Sequence, residues 1–195
     1  PVYWCPHDET ALAEAEIEYE NDPCKSIYVK FRVTDDKGVF AAAGITGDIY
    51  FVIWTTTTWT IPGNLAICVG PEYTYTLVHA NNEYYVMAQE LVAETMKAAG
   101  IAEYETIGAF KGSELEYMQT KHPLYDRNSM VIVGDHVTLE SGTGCVHTAP
   151  GYGVEDFEVC KNYDEIGILV CVDDKGRQTA EAGEFAGLDT AEANK

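Results

Sequence analysis

Residues 73–87 read YTYTLVHANNEYYVM, two runs rich in aromatic and β-branched side chains separated by Asn81 and Asn82. Such runs suit strands, and an Asn-Asn pair suits a tight turn, so residues 73–79 and 83–87 are read as a hairpin. Working outward, further strands are expected before it at residues 27–33, 50–56 and 65–69. After it they are expected at 104–110, 130–133, 145–148 and 168–172, the last ending in the turn Asp173-Asp174-Lys175-Gly176. Between residues 88 and 99, Leu91, Val92, Thr95, Met96 and Ala99 share one helical face, and Gly100 supplies a stop. The Ala/Glu stretch at 11–19 fits a helix by propensity and a strand by alternation. Many short strands with few helices predict an α+β fold, with a closed or partly closed, barrel-like sheet and a few peripheral helices.

Composition narrows the function classes. The 195 residues are 46% hydrophobic, enough for one sizeable core, and a second domain is not required. Lys and Arg number 12 against 32 Asp and Glu, a net charge of −20, and such a field repels phosphate. A broad duplex-binding surface is excluded, and any nucleic-acid contact must be short and local. The cysteines at positions 5, 24, 68, 145, 160 and 171 form no Cys-x-x-Cys pair, so zinc is not expected and reduced thiols are. No apolar run approaches the ~20 residues that span a bilayer. The chain opens on Pro1 without an initiator Met, which suggests a piece of something longer.

Residues 54–64, WTTTTWTIPGN, place four adjacent hydroxyls between two tryptophans. In a strand, Thr55 and Thr57 would face one way and Thr56 and Thr58 the other, so both faces would offer hydroxyls to a polar guest. An exposed edge strand would account for the same residues. The second unusual stretch, residues 142–157, reads GTGCVHTAPGYGVEDF. Its four glycines and one proline suggest a strand leading into a shaped loop, with a helix beginning beyond it. Glu155 and Asp156 would occupy that helix's first turn, where the macrodipole favours negative charge for purely structural reasons. His147, taken alone, fits a core histidine as well as a functional one.

Together the two stretches resemble the threonine-rich peptide and the His/Asp loop of the editing domain, the connective-peptide insertion, of class I isoleucyl-tRNA synthetases. The opening WCPHDETALAEAEIEY and the closing GLDTAEANK resemble that insertion's exit from and return to the parent catalytic domain, so the likeness covers nearly all of residues 1–195. Residues 1–20 and 186–195 would then be junctions, and the chain a single editing domain. Valyl and leucyl relatives share the fold but usually continue Thr-Thr-Arg-Pro where this chain has Thr-Trp-Thr-Ile-Pro-Gly-Asn. The His-Ile-Gly-His and Lys-Met-Ser-Lys-Ser signatures of the synthetic core are absent from the chain.

The resemblance implies hydrolysis of valine wrongly esterified to isoleucine tRNA, with valyl-adenylate as a second substrate. Asp156 matches the editing aspartate and would pair with the substrate's α-ammonium group. Thr55, Thr56 and Thr57 match the threonine triplet, whose hydroxyls would hold the ester, the terminal ribose and the hydrolytic water. His147 would limit side-chain size as a pocket wall, and Trp59 and Asn64 match a wall aromatic and the motif's polar end. Thr58 stands where the motif usually has Pro, which removes a fixed φ and restores a backbone donor. Tyr152 stands where relatives often carry His or Phe, so the pocket mouth is expected to differ.

No cofactor or metal is expected for editing, ATP and magnesium being expected only for the parent's synthetic domain. The implied partners are the valine-charged 3′ end of tRNA(Ile) and the rest of the synthetase, in the cytoplasm, with no membrane and the isolated domain a monomer. Tyr84, Tyr85 or Trp59 would stack on the single-stranded end. The alternative is a noncatalytic module that binds an amino acid or an aminoacyl end.

Overall fold

The computed structural model describes residues 2–21 and 24–195; Pro1, the first residue of the expected junction, lies outside them. The strands are β1 (Trp4–Cys5), β2 (Thr10–Ala11), β3 (Ile27–Asp35), β4 (Ile49–Thr55), β5 (Ala66–Val69), β6 (Thr74–Ala80), β7 (Glu83–Ala88), β8 (Glu105–Lys111), β9 (Gln119–Lys121), β10 (Asn128–Val133) and β11 (Cys145–Thr148). The α-helices are short: α1 (Val39–Ala42), α2 (Val92–Ala98), α3 (Gly112–Leu115), α4 (Val154–Cys160) and α5 (Thr190–Ala193). The chain divides into two compact units. One comprises Tyr28–Thr55 and Leu65–Thr148; the other comprises the residues up to Ile27, Thr56–Asn64 and Ala149–Lys195.

The larger unit is built on a nine-stranded mixed sheet in the order β11-β5-β10-β9-β3-β4-β7-β6-β8. The expected hairpin is its clearest local piece: β6 and β7 pair antiparallel from Tyr75↔Ala88 to Ala80↔Glu83. Asn81 and Asn82 turn the chain at φ 51° and 64°, the left-handed backbone of a two-residue turn. The sheet is mixed because β4 runs parallel to β7 and β10 parallel to β5. Of the two expected forms, closed or partly closed, the sheet takes the second. The sheet curls until β11 packs against β4, but no hydrogen-bonded ladder joins β11 to β8, so it is not a closed barrel.

Strand β4 explains where the core lies. Its sequence IYFVIWT is nearly all apolar, the pattern of a strand covered on both sides, and Phe51, Val52 and Ile53 are all buried. One face joins Val52 to Val78, Tyr85, Met87, Val92 and Met96, so α2 seals that side. In α2 the expected stripe is buried at Val92, Thr95 and Met96, with Leu91 just before it, whereas Ala99 is exposed because the helix ends at Ala98. Gly100 follows at φ 69°, a left-handed stop.

In the smaller unit, β1 and β2 pair antiparallel. Residues 11–19 form neither a full helix nor a full strand; Thr10–Ala11 pairs briefly and Glu14–Glu16 makes one 3₁₀ turn. The strand expected at 168–172 is not formed. Only an isolated bridge joins Val172 to Gln178, while the turn after it closes as read, Gly176 donating to the Asp173 carbonyl at 2.9 Å. All six cysteines are free thiols.

Candidate functional site

The threonine stretch leaves the sheet earlier than alternation suggests. β4 ends at Thr55, Thr56 and Thr57 follow outside any strand, and Thr58–Gly63 coils into a 3₁₀ helix containing Pro62. The hydroxyls therefore do not alternate across a strand: Thr55 is buried, while Thr56, Thr57 and Thr58 are half-buried in a bend. Within the bend, the Thr57 carbonyl accepts the Thr60 hydroxyl at 2.8 Å. Asn64 closes the helix, fully buried, its N–H donating to the Ile61 carbonyl at 3.0 Å.

The glycine-bent stretch behaves as read. β11 leads into a turn in which Tyr152 N–H donates to the Ala149 carbonyl at 2.9 Å, and α4 starts after Gly153. Asp156 sits in the first turn of α4, and its Oδ2 accepts the N–H of buried Ala149 at 2.8 Å. The carboxylate folds back so closely that a Cβ on Gly153 would lie 2.9 Å from its carbon, which is why that residue is glycine. Asp156 therefore fastens the loop ahead of its helix.

The two stretches meet inside each unit. In the larger one, Gly142, at φ 79°, abuts the Trp54 indole, and β4 packs against β11. In the smaller one, Trp59 meets Tyr152 edge to face at a centroid separation of 5.4 Å. Gly63 lies flat against the same Tyr152 ring, where a Cβ would come within 2.2 Å of Cε2. The Tyr152 hydroxyl accepts the Cys171 N–H at 2.6 Å. Tyr152 is thus a packing keystone between the two motifs, a role that sequence comparison at one loop position does not reveal. Thr56, Thr57, Trp59, Asn64 and Asp156 belong to the smaller unit, Thr55 and His147 to the larger.

His147 lies on β11 opposite Ile67 of β5. Although part of its surface remains open, packing around the ring, aided by the nearby charge of His122, pushes its imidazole down to about 4. A base that weak takes up few protons near pH 7, which favours a wall over a proton acceptor. A stability consequence follows. The unfolded chain would bind a proton at His147 near pH 6.5 and the folded chain only near 4, so stability present above 6.5 is lost as pH falls towards 4. The ceiling is about 3 kcal/mol, reduced by the ring's partial exposure. Urea midpoints at pH 7 and 4.5 should separate less in His147→Gln than in the unsubstituted chain; equal separation would refute this.

Of the proposed stacking residues, Tyr85 is buried with its hydroxyl on Glu83 at 2.7 Å, and Tyr84 stacks on His79 at 4.6 Å. Only Trp59 of the three belongs to the threonine segment. Sequence reading missed Gln178 and Asn194. Gln178, 3% exposed, donates through Nε2 to the Trp59 carbonyl at 2.9 Å, and Asn194 receives the Thr58 N–H through Oδ1 at 2.8 Å. Among the described residues no cluster of three or more His, Cys, Asp or Glu could hold a metal ion, and no helix is long and apolar enough to cross a membrane.

The fold is that of the editing domains of aminoacyl-tRNA synthetases. It superposes on GlLeuRS-CP1 with a TM-score of 0.61 at 18% identity, covering 71% of this chain and 58% of that one. The P. knowlesi cytosolic leucyl-tRNA synthetase editing domain gives 0.60 at 13% identity, over 71% of this chain and 63% of its own. No protein-family profile matches. By sequence its close homologues are isoleucine--tRNA ligases: it is 59% identical over 196 residues to the enzyme of Caldicellulosiruptor saccharolyticus and 56% over 198 to that of a Thermoanaerobacter species, matched along 100% of its length. It spans about a fifth, 21%, of the length of those curated relatives.

Proposed function

We propose that this chain hydrolyses valine mis-esterified to isoleucine tRNA, and valyl-adenylate as a second substrate. The observation that carries the reading is the packing of the threonine segment against the loop before Asp156, through Trp59, Gly63 and Tyr152, in a chain with these homologues and this fold.

The chemical need is one of size. A pocket built for isoleucine rejects the smaller valine by only about 1–3 kcal/mol, the general value of a methylene, for which this amino-acid pair is itself the standard example. A second pocket can invert the selection, admitting valine and excluding isoleucine by collision. In this reading Asp156, one carboxylate oxygen already fixed by Ala149, holds the substrate's α-ammonium group and so sets the ester's position. Thr55, Thr56 and Thr57 supply hydroxyls to the ester, the ribose and the attacking water. His147, Trp59 and Asn64 shape the wall. Water attacks the carbonyl directly, donors stabilise the oxyanion, and the neighbouring ribose hydroxyl assists proton transfer, so no covalent intermediate or cofactor is required. ATP and magnesium serve the parent's synthetic domain.

The net charge of −20 fits a domain that receives only the single-stranded 3′ end, the tRNA body being held by the rest of the parent synthetase in the cytoplasm. Incubating the chain with Val-tRNA(Ile) and Ile-tRNA(Ile) and following amino-acid release tests this. Valine alone should be freed. Tight binding without turnover would make the chain a binding module instead, and equal release of both amino acids would remove the size selection.

A further inference from the structure

The threonine segment is held from a distance. We propose that Asn194 and Gln178 are positioning residues that set the conformation of the segment bearing Thr56 and Thr57; the catalytic consequence rests on the editing reading above. The 3₁₀ helix Thr58–Gly63 begins without help from its own N-cap, because the Thr57 side chain caps nothing. The first N–H of such a helix has no partner within it. Asn194 fills that gap: its Oδ1 accepts both the Thr58 N–H at 2.8 Å and the Thr58 hydroxyl at 2.9 Å. A backbone N–H can only donate, so the atom facing it must be the amide oxygen.

One residue on, Gln178 takes the opposite kind of group. Its Nε2 donates to the Trp59 carbonyl at 2.9 Å, while its Oε1 is buried with no partner. An amide that leaves half its hydrogen-bonding capacity unused inside the protein is a poor choice for stability alone. It is intelligible if the donor to Trp59 is what matters.

Both amides are themselves held in place. Gln178 exchanges backbone hydrogen bonds with Leu188 and Gly187, each at 2.8 Å. Asn194 is the C-cap of α5, whose start is fixed by a reciprocal capping box in which Asp189 accepts the Glu192 N–H at 2.7 Å and Glu192 accepts the Asp189 N–H at 3.2 Å. α5 packs against the Thr58–Gly63 helix. The donor and acceptor immediately after the threonine hydroxyls are therefore gripped by residues that sit on a separately braced scaffold.

Hydrogen–deuterium exchange and deacylation kinetics on the full chain test the clamp together. Asn194→Ala should speed exchange at the Thr58 amide and lower kcat for Val-tRNA(Ile), each by about tenfold, the scale of one neutral hydrogen bond, with KM nearly unchanged. Asn194→Asp keeps the acceptor and should restore both. Thr58→Pro removes the N–H and the hydroxyl while fixing φ at a position that tolerates proline, so adding Asn194→Ala to it should change kcat no further. Unchanged exchange in Asn194→Ala, or an equal penalty in the Thr58→Pro background, would overturn the proposal. A chain that releases no valine at all refutes the editing reading, and the exchange comparison still decides whether the clamp holds.

Discussion

Asp156→Asn is expected to lower kcat/KM for Val-tRNA(Ile) about a thousandfold while leaving the fold intact. Losing a charged partner for an ammonium group costs about 4 kcal/mol when the pair is shielded from water, which is that factor in rate. The amide retains an oxygen for the Ala149 N–H, so the loop ahead of α4 stays fastened and thermal stability should move by less than about 0.5 kcal/mol. Asp156→Ala should match it in activity and add a stability loss of about 1–3 kcal/mol, because the N–H of buried Ala149 is then left without its acceptor. The pair of variants separates the proposed ammonium contact from the observed hydrogen bond to Ala149. An Asn variant that deacylates at the original rate would show that Asp156 is a loop fastener and nothing more.

The largest stability effect is expected at Gly112→Ala. A Cβ there would lie 2.0 Å from the Gly70 carbonyl oxygen and 3.1 Å from Cε2 of buried Tyr75. Neither neighbour can yield easily. The Gly112 N–H donates to the Tyr73 carbonyl at 3.0 Å and the Ser113 N–H to that of Pro71 at 3.1 Å, so the start of α3 is laced to the 70–73 turn. The Tyr75 hydroxyl is itself committed, accepting from Gly70 N–H at 2.8 Å and donating to the Gly144 carbonyl at 2.6 Å. Separating two backbones joined in this way should cost at least about 3 kcal/mol, the upper range for overpacking. Gly167→Ala, with open space around the new methyl, serves as the comparison and should be nearly neutral. Equal midpoints for the two variants in urea would refute the argument.

Sequence reading succeeded where structure is local. The β6–β7 hairpin was legible because alternating runs flank Asn81 and Asn82, and α2 because its apolar face repeats at helical spacing and ends at Gly100. β11 coincided with its expected bounds, and Asp156 was correctly placed in a first turn. Errors arose where a neighbour overrules propensity. Residues 168–172 are apolar enough for a strand, but the Cys171 N–H goes to the Tyr152 hydroxyl and its carbonyl to the Thr179 N–H, leaving no ladder to join. The run of threonines looked like a continuing strand, yet Pro62 and the buried Ile61 belong to a 3₁₀ turn that begins at Thr58. β9 escaped notice because three residues, QTK, carry no pattern of their own. The partners of the threonine segment were invisible for a simpler reason: Gln178 and Asn194 lie 119 and 136 residues from their acceptor and donor, and such pairings leave no local signature.

The division of the chain also orders its assembly. Apart from Thr56–Asn64, the larger unit is complete by Thr148, whereas the smaller draws on three stretches, the last beginning at Ala149. During synthesis, at about 5–20 residues per second, Asn194 follows Thr148 by about 2–9 seconds, time in which the sheet can close around its own hydrophobic residues. Nascent molecules would carry a finished scaffold and an unassembled threonine bend, whose partners Gln178 and Asn194 emerge only with residues 149–195.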